Sequence, residues 1–205
     1  MITIIDYNTG NLNSIANMIR KAGGQAQISS DVTVIRQAAK LILPGVGHFD
    51  FGMKNLRANG MAECITERVL VDKVPILGIC LGVQLFMKGS EEGNEPGLGW
   101  IDGETVAFDR VRLNKDLKIP HMGWSEVRYT PTSRLFQRFT ETPRFYFVHS
   151  YHLQCHQAED ELAYSRHGYE FVAGIERNNM VGVQFHPEKS HRFGLQIMKN
   201  FIEYY

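Results

Sequence analysis

The sequence predicts one α/β domain over residues 1–205: a mixed, mostly parallel central sheet flanked by helices, with antiparallel additions in its second half. Three observations carry this. Strand-like and helix-like segments alternate through the first half, as in βαβ units. Extended segments dominate the second half. No repeat, low-complexity tract or Pro/Gly/Ser linker divides the chain. Taken in order, residues 2–6 (ITIID) form a β-branched run ending at a polar turn, and read as a strand. A helix follows, with Leu12, Ile15, Met18, Ile19 and Ala22 on one face and Gly23-Gly24 stopping it. The apolar run Ala39 to Leu43 ends at Pro44-Gly45-Val46-Gly47. A helical stretch spans about Met61 to Val71, and the run Val74 to Cys80 enters a glycine turn and a helix near Val83 to Met87. Then Glu104 to Phe108, Glu126 to Tyr129 and Arg144 to His149 read as extended. Phe171–Glu176 and Met180–Phe185 form a hairpin around Arg177-Asn178-Asn179, and a final helix runs from about Arg192 to Glu203.

Apolar residues make up 43% of the chain and charged residues 21%, the balance of a soluble globular domain. Lys+Arg and Asp+Glu are equal at 22 each, which removes the case for a nucleic-acid or anionic-membrane partner, since both need a basic excess. No apolar run approaches the length of a bilayer span. The opening MITIIDYNTGN lacks the basic region and small-residue cleavage site of a signal peptide. Cys64, Cys80 and Cys155 have no framework spacing, which predicts reduced thiols and a cytoplasmic setting.

The most informative segment is Pro75-Ile76-Leu77-Gly78-Ile79-Cys80-Leu81-Gly82-Val83-Gln84. A buried strand delivers Cys80 to a turn with glycines two residues to either side, the arrangement of a nucleophile elbow. Side chains at Gly78 and Gly82 would collide with neighbouring chain. Cys80 then heads a helix whose N–H groups and dipole favour a thiolate, and those N–H groups can stabilise an oxyanion. Cys64, in a helical stretch, and Cys155, after a strand, read as structural. The matching base is His186, at the end of the apolar strand in Val181-Gly182-Val183-Gln184-Phe185-His186-Pro187-Glu188, with Glu188 close enough in sequence to orient the imidazole. His149, His152 and His156 are not expected to bind metal: residues three apart on a strand point to opposite faces, and no cysteine or carboxylate pair has zinc spacing. The glycine-rich segment 44–47 follows a strand end and can present N–H groups to a substrate oxygen.

The motifs PGVG, GICLGVQ and FHPEKS, in this order, resemble those of the class I (triad-type) glutamine amidotransferases. Within them, Pro120-His121-Met122-Gly123-Trp124, Tyr146-Phe147-Val148-His149-Ser150-Tyr151 and Gly45-Val46-Gly47-His48-Phe49 look like those of the glutaminase subunits of imidazole glycerol phosphate synthase, from histidine biosynthesis. The resemblance covers essentially the whole chain. It implies the class I glutamine amidotransferase fold, with a triad of Cys80, His186 and Glu188. It also implies an oxyanion hole or gate at Val46, Gly47 and Leu81, and a glutamine site at Gln84, Ser150 and Tyr151. Asn11, Trp124, Tyr146 and Lys189 match positions near a partner interface and ammonia exit. It implies no cofactor and no metal. The implied partner is a (β/α)8-barrel cyclase subunit, joined as a heterodimer, which uses the ammonia to turn a phosphoribulosyl-formimino-AICAR-phosphate intermediate into imidazole glycerol phosphate and AICAR ribonucleotide. One departure is Val83, where the family usually has methionine; the swap is apolar and is expected to affect packing only. Two alternatives share the scaffold: a glutaminase subunit of another synthase, such as an anthranilate or aminodeoxychorismate type, and a catalytically silent regulatory module. An α/β hydrolase would share the elbow but usually places its acid between nucleophile and histidine.

Overall fold

A computed structural model describes all 205 residues. The first half comprises β1 (Ile2–Ile5), α1 (Leu12–Lys21), β2 (Ala26–Ser29), α2 (Val32–Arg36), β3 (Lys40–Leu43), α3 (Phe49–Arg57), α4 (Met61–Thr66), β4 (Ile76–Ile79) and α5 (Leu81–Gln84). Next come β5 (Gly103–Ala107), β6 (His121–Glu126), β7 (Arg128–Tyr129), β8 (Arg144–His149), β9 (Tyr151–Cys155), β10 (Glu161–His167), β11 (Tyr169–Arg177), β12 (Met180–Val183) and α6 (His191–Tyr204).

Ten strands form the main sheet, in the order β2-β1-β3-β4-β12-β11-β10-β7, with β9 paired to β11 and to β5. The five strands β2, β1, β3, β4 and β12 run parallel, and β11, β10, β7, β9 and β5 join antiparallel. Strands β6 and β8 make a separate antiparallel ribbon. The parallel centre is covered on both faces, which is why its strands read as unbroken apolar runs. Alternation along β3 shows the two sides: Ile42 enters the core that holds Ile15 and Ile19 of α1 and Phe201 of α6, while Leu41 and Leu43 enter the core of α3, α4 and α5.

Helix α1 buries Ile15, Ala16 and Ile19, places Arg20 and Lys21 in its last turn, and ends before Gly23, at φ +91°. The hairpin β11–β12 turns at Asn178-Asn179 between the paired Arg177 and Met180. Two sequence expectations change. Glu126–Tyr129 is not one strand: Val127, fully buried and donating its N–H to Pro143 O (3.0 Å), separates β6 in the ribbon from β7 in the main sheet. The helix after the elbow begins at Leu81 rather than near Val83, because the chain turns directly at Cys80. β2, α2, α3, β9 and β10 were not anticipated. No helix is long and apolar enough to cross a membrane.

Candidate active site

The parallel sheet brings β4 and β12 side by side, with Gly78 opposite Gly182 and Ile79 opposite Val183. Their C-terminal ends therefore deliver Cys80 and His186 to one edge, where an open α/β sheet collects its functional groups. Cys80 adopts φ 54°, ψ −113° and its N–H donates to Val183 O (2.8 Å). A non-glycine residue at positive φ is strained, and here the surroundings enforce it. A Cβ on Gly78 would stand 2.8 Å from the Val83 backbone, and one on Gly82 would stand 1.8 Å from Leu43 O. Val83 is fully buried, and its Cγ2 would lie 2.2 Å from a Cβ on Gly182.

Cys80, His186, Val46, Gly47, Leu81, Gln84, Ser150 and Tyr151 line one cavity of about 180 Å³, joined by Glu92 and His149. That is smaller than the pockets that take drug-sized ligands and suits a single small molecule. Leu81, as first residue of α5, presents an N–H with no intrahelical partner. His186 Nδ1 donates to Glu188 Oε1 (2.8 Å), with the two side chains 1% and 2% exposed. Nε2 of His186 is buried without a hydrogen-bond partner. Burial alone would depress the imidazole pKa. Electrostatic attraction to Cys80 and to the Glu188 carboxylate outweighs that and holds it raised, at about 10. Burial keeps the other two thiols protonated. Burial pushes Cys64 up, and burial with Glu161 nearby pushes Cys155 up to about 12.

The loop that carries the histidine is fastened to β8. His186 N–H donates to Tyr146 O (2.9 Å), Tyr146 N–H donates to Ser190 Oγ (3.0 Å), and Ser190 Oγ–H donates to His186 O (2.6 Å). On the opposite wall, Thr9 Oγ1 donates to Val46 O (2.6 Å) and accepts from Val46 N–H (3.1 Å). Gly47 has φ +98°, a conformation that an L side chain resists.

Residues 3–204 match the family described as glutamine amidotransferase class-I. The chain is 47% identical to imidazole glycerol phosphate synthase subunit HisH 2 of Pseudomonas aeruginosa, over 99% of both chains. It is equally similar, 47% over 99% of each, to the protein of the same name in Methanococcus maripaludis. The chain belongs to the class-I glutamine amidotransferase family. Among solved structures, the fold of this amidotransferase is matched by PurLQS from Thermotoga maritima (TM-score 0.74, 16% identity, 99% of this chain and 97% of that one). It is also matched by another glutamine amidotransferase from Thermotoga maritima (TM-score 0.65, 19% identity, 98% and 80%).

Of the residues expected near an interface, Trp124, Tyr146 and Lys189 come together on the amidotransferase surface. Trp124 sits edge-on to Tyr146 (6.4 Å between centroids) and stacks on His191 (5.5 Å, 3°), and Lys189 Nζ lies 5.6 Å from the Tyr146 ring centre. Asn11 is exposed at the head of α1, and α1 packs beside the Pro187–Lys189 turn. The placement expected of the three histidines is corrected. His149 ends β8 and His152 lies in β9, so they do not alternate along one strand; the chain bends at Ser150 and both rings pack on Phe108 (5.2 and 4.9 Å). His156 lies apart and exposed, bonded to Asp102 (3.1 Å). No cluster of three or more His, Cys, Asp or Glu is placed to hold a metal. Sequence reasoning missed Thr9, Glu92, Gln184 and Ser190. Only Gln184 carried a signal: a polar residue in the middle of an apolar strand end, fully buried in the structure.

Proposed function

We propose that this amidotransferase is the glutaminase subunit of an imidazole glycerol phosphate synthase, a cytoplasmic enzyme in which it forms a heterodimer with a (β/α)8-barrel cyclase. The observation that carries the chemistry is the convergence of Cys80 and the His186–Glu188 pair on one small cavity. Full-length relatives at 47% identity, themselves named as subunits of that synthase, support the substrate and the partner.

In this reading the Cys80 sulfur attacks the side-chain amide carbon of glutamine, and Leu81 N–H with the Val46–Gly47 segment receives the oxyanion. His186 gives its Nε2 proton to the departing nitrogen, leaving ammonia and a glutamyl thioester. Acylation removes the negative charge on sulfur. The imidazole pKa then falls, and His186 becomes a base that takes a proton from water as the sulfur is expelled, which releases glutamate and regenerates the thiolate beside a protonated imidazole. Glu188 holds the ring and balances its charge throughout. The Oε1 of Gln84 and the backbone at Ser150 and Tyr151 hold the substrate, and the Glu92 carboxylate is the charge complement of its α-ammonium group. Trp124, Tyr146 and Lys189, with Asn11, form the docking surface and the ammonia exit. Ammonia released into bulk water would be protonated and lose its nucleophilicity, so an enclosed route to the cyclase follows from the chemistry. The test is glutamate release with and without a candidate cyclase barrel. Strong stimulation supports the assignment. If an anthranilate-type synthase subunit stimulates instead, the partner is wrong.

Val46 N–H is engaged by Thr9 and so is not free to meet an oxyanion, which supports a gate that opens on partner binding. Thr9→Val keeps the shape and removes the clasp. A lost hydrogen bond of about 1 kcal/mol corresponds to about a fivefold rise in partner-free glutaminase rate. An unchanged basal rate would place the gate elsewhere.

A further inference from the structure

The motif Pro120-His121-Met122-Gly123-Trp124 is only partly used by the reading above: Trp124 faces outward, but His121 is 4% exposed and lies under the ribbon. Its ring is sandwiched between Phe147 (4.9 Å, 27°) and His167 (4.5 Å, 24°). His121 Nδ1 and His149 Nε2 are 3.0 Å apart, His149 Nδ1 is 2.7 Å from Tyr151 O, and His121 Nε2 is 2.9 Å from Ser125 Oγ.

The direction of every bond follows from one fact. A carbonyl only accepts, so His149 carries its proton on Nδ1, which leaves Nε2 as a lone pair. His121 must then carry its proton on Nδ1, and its Nε2 accepts from the Ser125 hydroxyl. Beyond Tyr151 the network continues. Gln84 Nε2 donates to Tyr151 O (3.4 Å) and to Gln184 Oε1 (3.0 Å), and Gln184 Nε2 donates to Cys80 Sγ (3.7 Å). All five side chains from His121 to Cys80 are buried. A low dielectric makes such a network strong when complete and costly when broken. Both imidazoles are neutral at ordinary pH: burial with His167 nearby lowers His121 to about 4, and burial holds His149 well below its ordinary value. Neither ring can therefore act as a second donor and disrupt the order.

We propose that His121 and His149 are positioning residues, donating in series into the Tyr151 carbonyl and so fixing the glutamine-pocket wall and, through Gln84 and Gln184, the orientation of the Cys80 sulfur. This rests on the glutaminase reading for its kinetic consequence, but its geometry is testable without it.

The first measurement is nitrogen-15 NMR of histidine-labelled wild-type protein. Both rings are expected as neutral Nδ1–H tautomers; either ring found as Nε2–H overturns the relay. The second is glutaminase kinetics with the partner barrel present. His121→Leu removes the donor and is expected to raise KM for glutamine about tenfold, the effect of one lost hydrogen bond to a pocket group, with kcat changed much less. His121→Asn keeps an amide N–H near the Nδ1 position and is expected to restore KM, whereas His121→Gln places its amide near Nε2 and is not. A merely structural histidine would give no such difference between Asn and Gln, and that comparison stands even if His121→Leu fails to fold. Unchanged KM in His121→Gln, with wild-type protein active, sinks the relay and leaves the glutaminase assignment intact. Inactive wild-type protein sinks that assignment and leaves the tautomers to decide the relay.

Discussion

In the assembled complex, Cys80→Ala is expected to lower glutamine-dependent synthesis by about 10⁴-fold or more, the scale of losing a nucleophile that works as a unit with its base. Synthesis driven by added ammonium salts should persist at the wild-type level, because in the proposed complex the cyclase step would draw on ammonia from either source. The pairing of outcomes matters more than the loss. Cys80 sits on a strained elbow packed against β3 and β12, and a purely structural cysteine there would take both activities down together. If ammonium-driven synthesis vanishes as well, the nucleophile assignment fails. A glutamine-like electrophile provides a check on the isolated chain. It should label Cys80 in preference to Cys64 and Cys155, whose thiols burial keeps protonated.

The largest effect on stability is expected from Gly82→Ala. The added methyl would stand 1.8 Å from Leu43 O and 2.7 Å from its carbonyl carbon, so β3 or the elbow must move. Both lie in the middle of the parallel sheet, between two packed cores, and neither has room to yield. Overpacking of this kind costs about 3 kcal/mol or more when the obstacle is backbone. The readout is a lower urea midpoint with an unchanged slope. Gly89→Ala is the control: nothing lies within 4 Å of its new methyl, and its midpoint should hardly shift. Equal midpoints for the two variants would mean that the elbow is not sterically locked.

What was readable in the sequence, and what was not, follows from how strongly local chemistry is constrained. The elbow was legible because a tight strand–helix turn admits glycine alone at two flanking positions, and that spacing survives in the sequence. The strand ends at Cys80 and His186 were legible because β4 and β12 are buried on both faces and must be apolar throughout. β2 was not: at the edge of the sheet and half-exposed, Ala26–Ser29 has no need of an apolar run. β10 was missed for a related reason, since its pairing with β11 shifts register twice and blurs any alternation. Thr9 and Ser190 act through hydroxyls on backbone groups 37 and 44 residues away in sequence, and no local pattern can announce such a partner. The histidines were misjudged because a single serine bend turns one strand into two.

The fastening at Ser190 has a mechanical consequence. One hydroxyl joins the main chain of Tyr146 to that of His186, and a third bond closes the triangle, leaving no slack between them. Tyr146 is also the residue on which Trp124 and Lys189 rest. In the proposed complex, a partner seated on that aromatic patch would touch a residue whose main chain is bonded through both its N–H and its C=O to the loop of His186, so contact surface and imidazole share one clamp.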